Sequence, residues 1–225
     1  MRNVLLIFSI LLLFLNSYCL GDEGGATQSS DLEVRFNITY MKGEKIPYSG
    51  KVTNLYQNGR SKMEMVYENG RREGTVTYWY ESGQKKKEEM WSGGKKEGVT
   101  TMWHENGLKM GHLIFVAGRE EGKHTMWFDN GTMEYEMNHR NGDFHGSFSS
   151  WYRDGQQKVV EHYDDGKLDG LQTRWYPNGI KSEETHYKNG KKEGSAALWY
   201  QSGRKKSEQT WKDGVLVKEL KFEDK

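Results

Sequence analysis

WYESGQKKKEEMWSGGKKEGVTTMWHENG, from Trp79 to Gly107, contains the same phrase twice: WYESG returns as WHENG after 24 residues. Working outward from it, Gly50, Gly74, Gly98, Gly122, Gly146, Gly170 and Gly194 stand 24 residues apart without insertion. Five residues after each glycine come Leu55, Trp79, Trp103, Trp127, Trp151, Trp175 and Trp199. The next position carries Tyr56, Tyr80, His104, Phe128, Tyr152, Tyr176 and Tyr200, and the seventeenth carries Tyr67, Trp91, Phe115, His139, Tyr163, Tyr187 and Trp211. A fixed period of this size marks a repeat architecture in which each unit buries its neighbour's face.

Turn signals set the secondary structure. Asn58-Gly59, Asn106-Gly107, Asn130-Gly131 and Asn178-Gly179 belong to one series of dipeptides, and Asn69-Gly70, Asn141-Gly142, Asp165-Gly166 and Asn189-Gly190 to another. Such dipeptides take up positive φ at little cost, as tight hairpins require. The intervening stretches are too short for stable helices and rich in β-branched and aromatic residues, such as Val99 to His104. The expected fold is all-β: an elongated antiparallel meander or solenoid of about seven β-hairpin repeats over residues 50–214. Leu32 to Tyr40 alternates and is expected as one strand of an N-terminal cap over 32–49; residues 215–225 are expected to cap the other end.

Apolar residues make up 34% of the chain, yet 13% are aromatic, which fits a thin folded structure better than disorder. The N-terminus reads differently. Arg2 precedes an apolar run from Val4 to Leu15 and a polar end to Gly21, the pattern of a secretory signal peptide over residues 1–21. The expected destination is the cell envelope or the exterior, with lipid attachment at Cys19 a weaker alternative because Tyr18 stands where a small residue is wanted. Residues 22–31 read as a flexible linker. Cleavage after Gly21 would leave 32 basic and 32 acidic residues, a balance that argues against nucleic acid as a partner.

Trp175-Tyr176-Pro177-Asn178-Gly179-Ile180-Lys181-Ser182-Glu183 and Tyr187-Lys188-Asn189-Gly190-Lys191-Lys192-Glu193-Gly194 carry a resemblance. They resemble the MORN-repeat superfamily, and within it the bacterial variant of the YwqK-like antitoxin proteins. The resemblance implies an elongated, twisted antiparallel β-sheet that binds proteins and, in some members, associates with membranes or lipid.

The residues themselves present no nucleophile with its base and no phosphate loop, so no catalytic residue and no cofactor are expected. His104 and His139 replace aromatics and are read as packed rings. His162 and His186 recur one unit apart, about 10 Å by strand spacing, too far to share one ion, so no metal site is expected. Glu64, Glu88, Glu136, Glu184 and Glu208 form a row, with Lys62, Lys86, Lys158 and Lys206 as expected charge partners. Specificity is sought where the repeat deviates, giving His112, Phe115, Tyr135, Phe144, His145 and Tyr152 as candidates for contact with an unknown protein. Arg71, Arg72, Lys95 and Lys96 form a basic edge that could meet anionic lipid.

Overall fold

A computed structural model describes residues 26–224. The proposed signal peptide, Cys19 and the first residues of the linker lie outside that range.

Seventeen strands form one antiparallel sheet from Gly50–Leu55 to Val215–Lys221, each pairing with the next in chain order except that Lys109–Val116 and Gln157–Asp164 also pair past a two-residue strand with Gly122–Trp127 and Gly170–Trp175. In two units the first strand is split, as Arg119–Glu120 with Gly122–Trp127 and as Lys167–Leu168 with Gly170–Trp175. Each unit is a hairpin, as its turn chemistry dictates, but the two turn series differ. At Asn69-Gly70, Asn141-Gly142, Asp165-Gly166, Asn189-Gly190 and Asp213-Gly214 both residues have positive φ, the two-residue hairpin turn. In the other series only the glycine does. Gly59 N donates to Tyr56 O and Tyr56 N to Arg60 O, a three-residue loop that closes on a left-handed glycine. Just beyond that loop every unit has a bulge, as where Met102 pairs with Gly111 and Trp103 with Lys109.

Three ladders tie unit to unit. Hydroxyls of Tyr56, Tyr80, Tyr152 and Tyr176 donate to the carbonyls of Trp79, Trp103, Trp175 and Trp199, 23 residues on. His104 fills the same role with Nε2 at 2.8 Å from Trp127 O. Phe128, lacking a hydroxyl, is the exception. On the opposite edge Glu73, Glu97, Glu121, Asp169 and Glu193 accept backbone N–H bonds from the next unit's turn, as Glu97 does from Ala117 at 2.7 Å. Gly94, Gly118, Gly142 and Gly190 also donate to backbone carbonyls of the preceding turn region. These bonds satisfy turn groups that a lone hairpin would leave to water.

The core is thin and changes character along the sheet. Val52, Met63, Met65, Tyr67 and Val76 form an apolar cluster near the N-terminal end. Further on, equivalent buried places hold Glu89, Thr100, His124, His139, Glu161, Gln172 and Thr185. Glu89 is 2% exposed and paired with Lys87 at 2.9 Å and Lys96 at 2.8 Å. Glu161 receives Gln172 Nε2 at 2.6 Å and Tyr163 OH at 2.7 Å. The tryptophan row is half-buried, so its rings flank this core without filling it.

Three expectations change. The nine residues from Leu32 are two strands, Leu32–Arg35 and Ile38–Met41, because Phe36 and Asn37 turn at φ 50° and 62°. The C-terminal half of the linker is docked: Thr53 N donates to Thr27 O, and Ser29 N to Asn54 Oδ1, against the edge strand. Lys62, Lys86, Lys158 and Lys206 lie over the rings of Tyr56, Tyr80, Tyr152 and Tyr200, at 5.3 to 5.6 Å. The glutamate row instead pairs with Lys51, Lys85, Lys123, Lys181 and Lys205, since the bulge places the expected lysines outside the ladder.

Candidate functional site

The six deviating residues do not form one patch. His112 pairs across the sheet with Thr101 and Thr125, in the row of the glutamates. Phe115, three residues on, faces the other side by strand alternation. Phe115 is buried at 8% exposure, with Lys96 Nζ 4.8 Å above its ring. Tyr152 is a rung of the hydroxyl ladder. Tyr135 is half-buried, its ring centroid 6.3 Å from that of Phe148. Burial, with Glu134 and Glu120 adding to it, pushes the Tyr135 phenol above the ordinary tyrosine value. His145 belongs to a polar chain: Arg140 Nη1 donates to its Nε2 at 3.1 Å, leaving Nδ1 to face Asp164 Oδ1 at 3.2 Å. Arg140 also holds Asp165 at 2.6 Å, which lowers that carboxyl's pKa through the hydrogen bond and then the charge.

Phe144 is the residue the structure leaves available. Its counterparts two residues before the repeat glycine are the cations Arg72, Lys96 and Lys192 in three units, and Glu120 and Leu168 in the two adjoining ones. Those cations lie over Trp91, Phe115 and Trp211 at 4.7 to 4.8 Å. Phe144 keeps the stacking position but brings an apolar ring, 5.0 Å from His139 and 5.4 Å from Tyr163, and stays 40% exposed. Beside it Met137, Asn138, Ser147, Phe148, Glu161 and Tyr163 line a pocket of about 250 Å³. Burial, then the bond to Glu161, holds the Tyr163 phenol far above its ordinary value, so it remains a donor.

The basic edge divides. Arg71 and Lys95 are exposed, whereas Arg72 and Lys96 point over aromatic rings, Lys96 also bonding Glu89. Arg71, Arg72 and Lys95 share a groove of about 600 Å³ with Val34, Trp91 and Phe36, the last fully exposed at its turn.

A second constellation was not expected from the sequence. Glu120, His124 and His139 each bring one ligand-type atom within 4.8 Å of the others. His139 Nε2 lies 3.1 Å from Glu120 Oε2, and the two imidazole centroids are 4.3 Å apart. Burial, with His124 adding to it, pushes the His139 pKa below the usual imidazole value against the pull of Glu120 and Glu121. In the contact with Glu120 the imidazole N–H donates and the carboxylate accepts. The legible signal was positional: three rows that in several other units hold a cation, a small or apolar residue, and an aromatic change together in one unit.

No curated protein sequence matches the chain. Residues 72–92, 120–141 and 168–189 match the MORN repeat variant family. Their starts lie 48 residues apart, so every second structural unit is matched, each from the stacking position up to the two-residue turn that follows. The chain is thus similar to MORN repeat variants over three segments, set in a continuous antiparallel β-meander.

Proposed function

We propose that this chain is a non-enzymatic binding module, exported by its N-terminal segment, that holds a partner protein on the sheet face around Phe144. The observation that carries the reading is the replacement of the stacking cation by a 40%-exposed phenylalanine beside an apolar-walled pocket. An aromatic anchor next to a cavity with few polar groups is the usual composition of an interface centre. The MORN-variant likeness supports a binding role. An antitoxin-like role, in which the captured protein is a toxin, is the narrower form the family resemblance offers.

The test places a photo-crosslinking residue at position 144, and in a control at the exposed Met90, and recovers adducts from the native host. The partner is then purified and titrated against wild type and Phe144→Lys, which restores the residue type of other units. The expected result is an adduct specific to position 144 and an affinity at least about tenfold weaker for Phe144→Lys, with an unchanged circular dichroism spectrum. Equal affinity would move the site away from Phe144.

The groove at Val34, Phe36, Arg71 and Lys95 favours a second reading, contact with an anionic membrane surface. Salt-sensitive sedimentation with phosphatidylserine vesicles, lost in Phe36→Ser with Lys95→Glu, would support it over the first.

A further inference from the structure

The unit from Glu120 to His139 breaks the repeat in three places, and the fold gathers all three. The position of Glu120 holds Arg72, Lys96 and Lys192 in other units. That of His124 holds Val52, Val76, Thr100 and Ala196, and that of His139 holds Tyr67, Trp91, Phe115 and Tyr163. A packed aromatic spine explains none of this. Two adjacent buried imidazoles offer each other no hydrogen bond in return for their desolvation, and a carboxylate in place of a cation forfeits the ring stacking.

We propose that Glu120, His124 and His139 form a binding site for a divalent transition-metal ion, with Zn²⁺ the best match to its donors. Two imidazoles and one carboxylate are a common protein ligand set for this ion, leaving a fourth position for water. The 3.1 Å between His139 Nε2 and Glu120 Oε2 is close to the edge of a tetrahedron whose bonds are about 2 Å. His124 is oriented from behind: its Nε2 lies 3.0 Å from Ile114 O, which as acceptor fixes the proton there and leaves Nδ1 its lone pair.

The ion would take Nε2 of His139, the nitrogen that faces Glu120 Oε2, in place of the bond between the two. Glu120, whose side chain is 39% exposed, provides the way in, while Phe115 and Phe144 pack against the two rings. Bound there, the ion would cross-link the two strands of one hairpin at a buried place that holds polar side chains. This inference does not depend on partner binding at Phe144.

The experiment uses the full chain freed of metal with chelator. Zn²⁺ and Mg²⁺ are titrated by calorimetry, Co²⁺ by its visible d–d absorption, and melting is followed with and without Zn²⁺. The variants are His139→Tyr and Glu120→Lys, each the residue that neighbouring units carry. We expect one Zn²⁺ per chain, a Co²⁺ spectrum of four-coordinate nitrogen and oxygen type, a rise in Tm with Zn²⁺, and no response to Mg²⁺. Each variant should lose about a hundredfold or more in Zn²⁺ affinity and melt as the metal-free wild type does. Glu120 is surface-accessible, so its variant remains informative if His139→Tyr fails to fold. Absence of stoichiometric binding to wild type would overturn the assignment. So would unchanged binding in Glu120→Lys, since the ion would then reside on other residues, such as His145 with Asp164 and Asp165.

Discussion

At the scale of the residue, this protein is held together by small bonds repeated in place. The tyrosine hydroxyl that reaches the next unit's tryptophan carbonyl is the clearest example, at 2.7 to 2.9 Å in four units. A hydrogen bond of this kind contributes about 0.5–1.5 kcal/mol. His104 keeps it with a ring nitrogen, so the row selects for a donor at that height and not simply for an aromatic. Phe128 is the gap in the ladder. Phe128→Tyr should therefore add about 1 kcal/mol of stability, read as a higher urea midpoint at unchanged slope. A lower midpoint would show that Arg153, whose guanidinium lies 5.7 Å from the Phe128 ring centroid, leaves the hydroxyl no room.

At the scale of the element, each hairpin is defined by one two-residue turn and one three-residue loop, and the turn residues are chosen by backbone angle. Ala117, at φ 50°, stands in a series of first turn residues that elsewhere holds Asn, Asp or Gly. A left-handed alanine costs about 1 kcal/mol more than the residues suited to it. Ala117→Asn keeps the N–H that Glu97 accepts, and should raise stability by about 0.5–1 kcal/mol, measured by the same urea titration. No gain would mean the turn's cost is compensated within Gly111 to Val116. The hairpins were legible because turn chemistry is local, but their closer geometry was not. The bulge after each tryptophan displaces Lys62 and Lys86 from the glutamate ladder, and no pattern of single residues announces it. The cap was misread for a similar reason: Phe36-Asn37 interrupts an alternation that continues on both sides.

At the scale of the whole molecule, a sheet of one-unit thickness can vary its buried positions because every unit is supported by two neighbours. That freedom explains why the core passes from valine and methionine to Glu89, Glu161 and Gln172 once partners exist for each polar group. It also explains what the sequence hid. Rows aligned by period expose a deviation such as Phe144, but only the register shows that Phe144 lines a pocket while Phe115 is buried and Tyr152 is committed to a carbonyl. Likewise Glu120, His124 and His139 are far apart in the reading frame of any one row and meet only when strands are paired. On the proposed function, repetition supplies the scaffold and deviation the specificity. The most direct measurement replaces residues 122–145 with the sequence of 170–193, a swap that keeps length and register while removing Tyr135, His139, Phe144 and His145 together. Affinity for the partner crosslinked at position 144 is then measured on the swapped protein. The predicted result is a cooperatively melting β-protein whose affinity falls by at least about tenfold. A folded swap that binds as tightly as wild type would contradict the account, as would a swap unable to fold, since the units would then not be interchangeable.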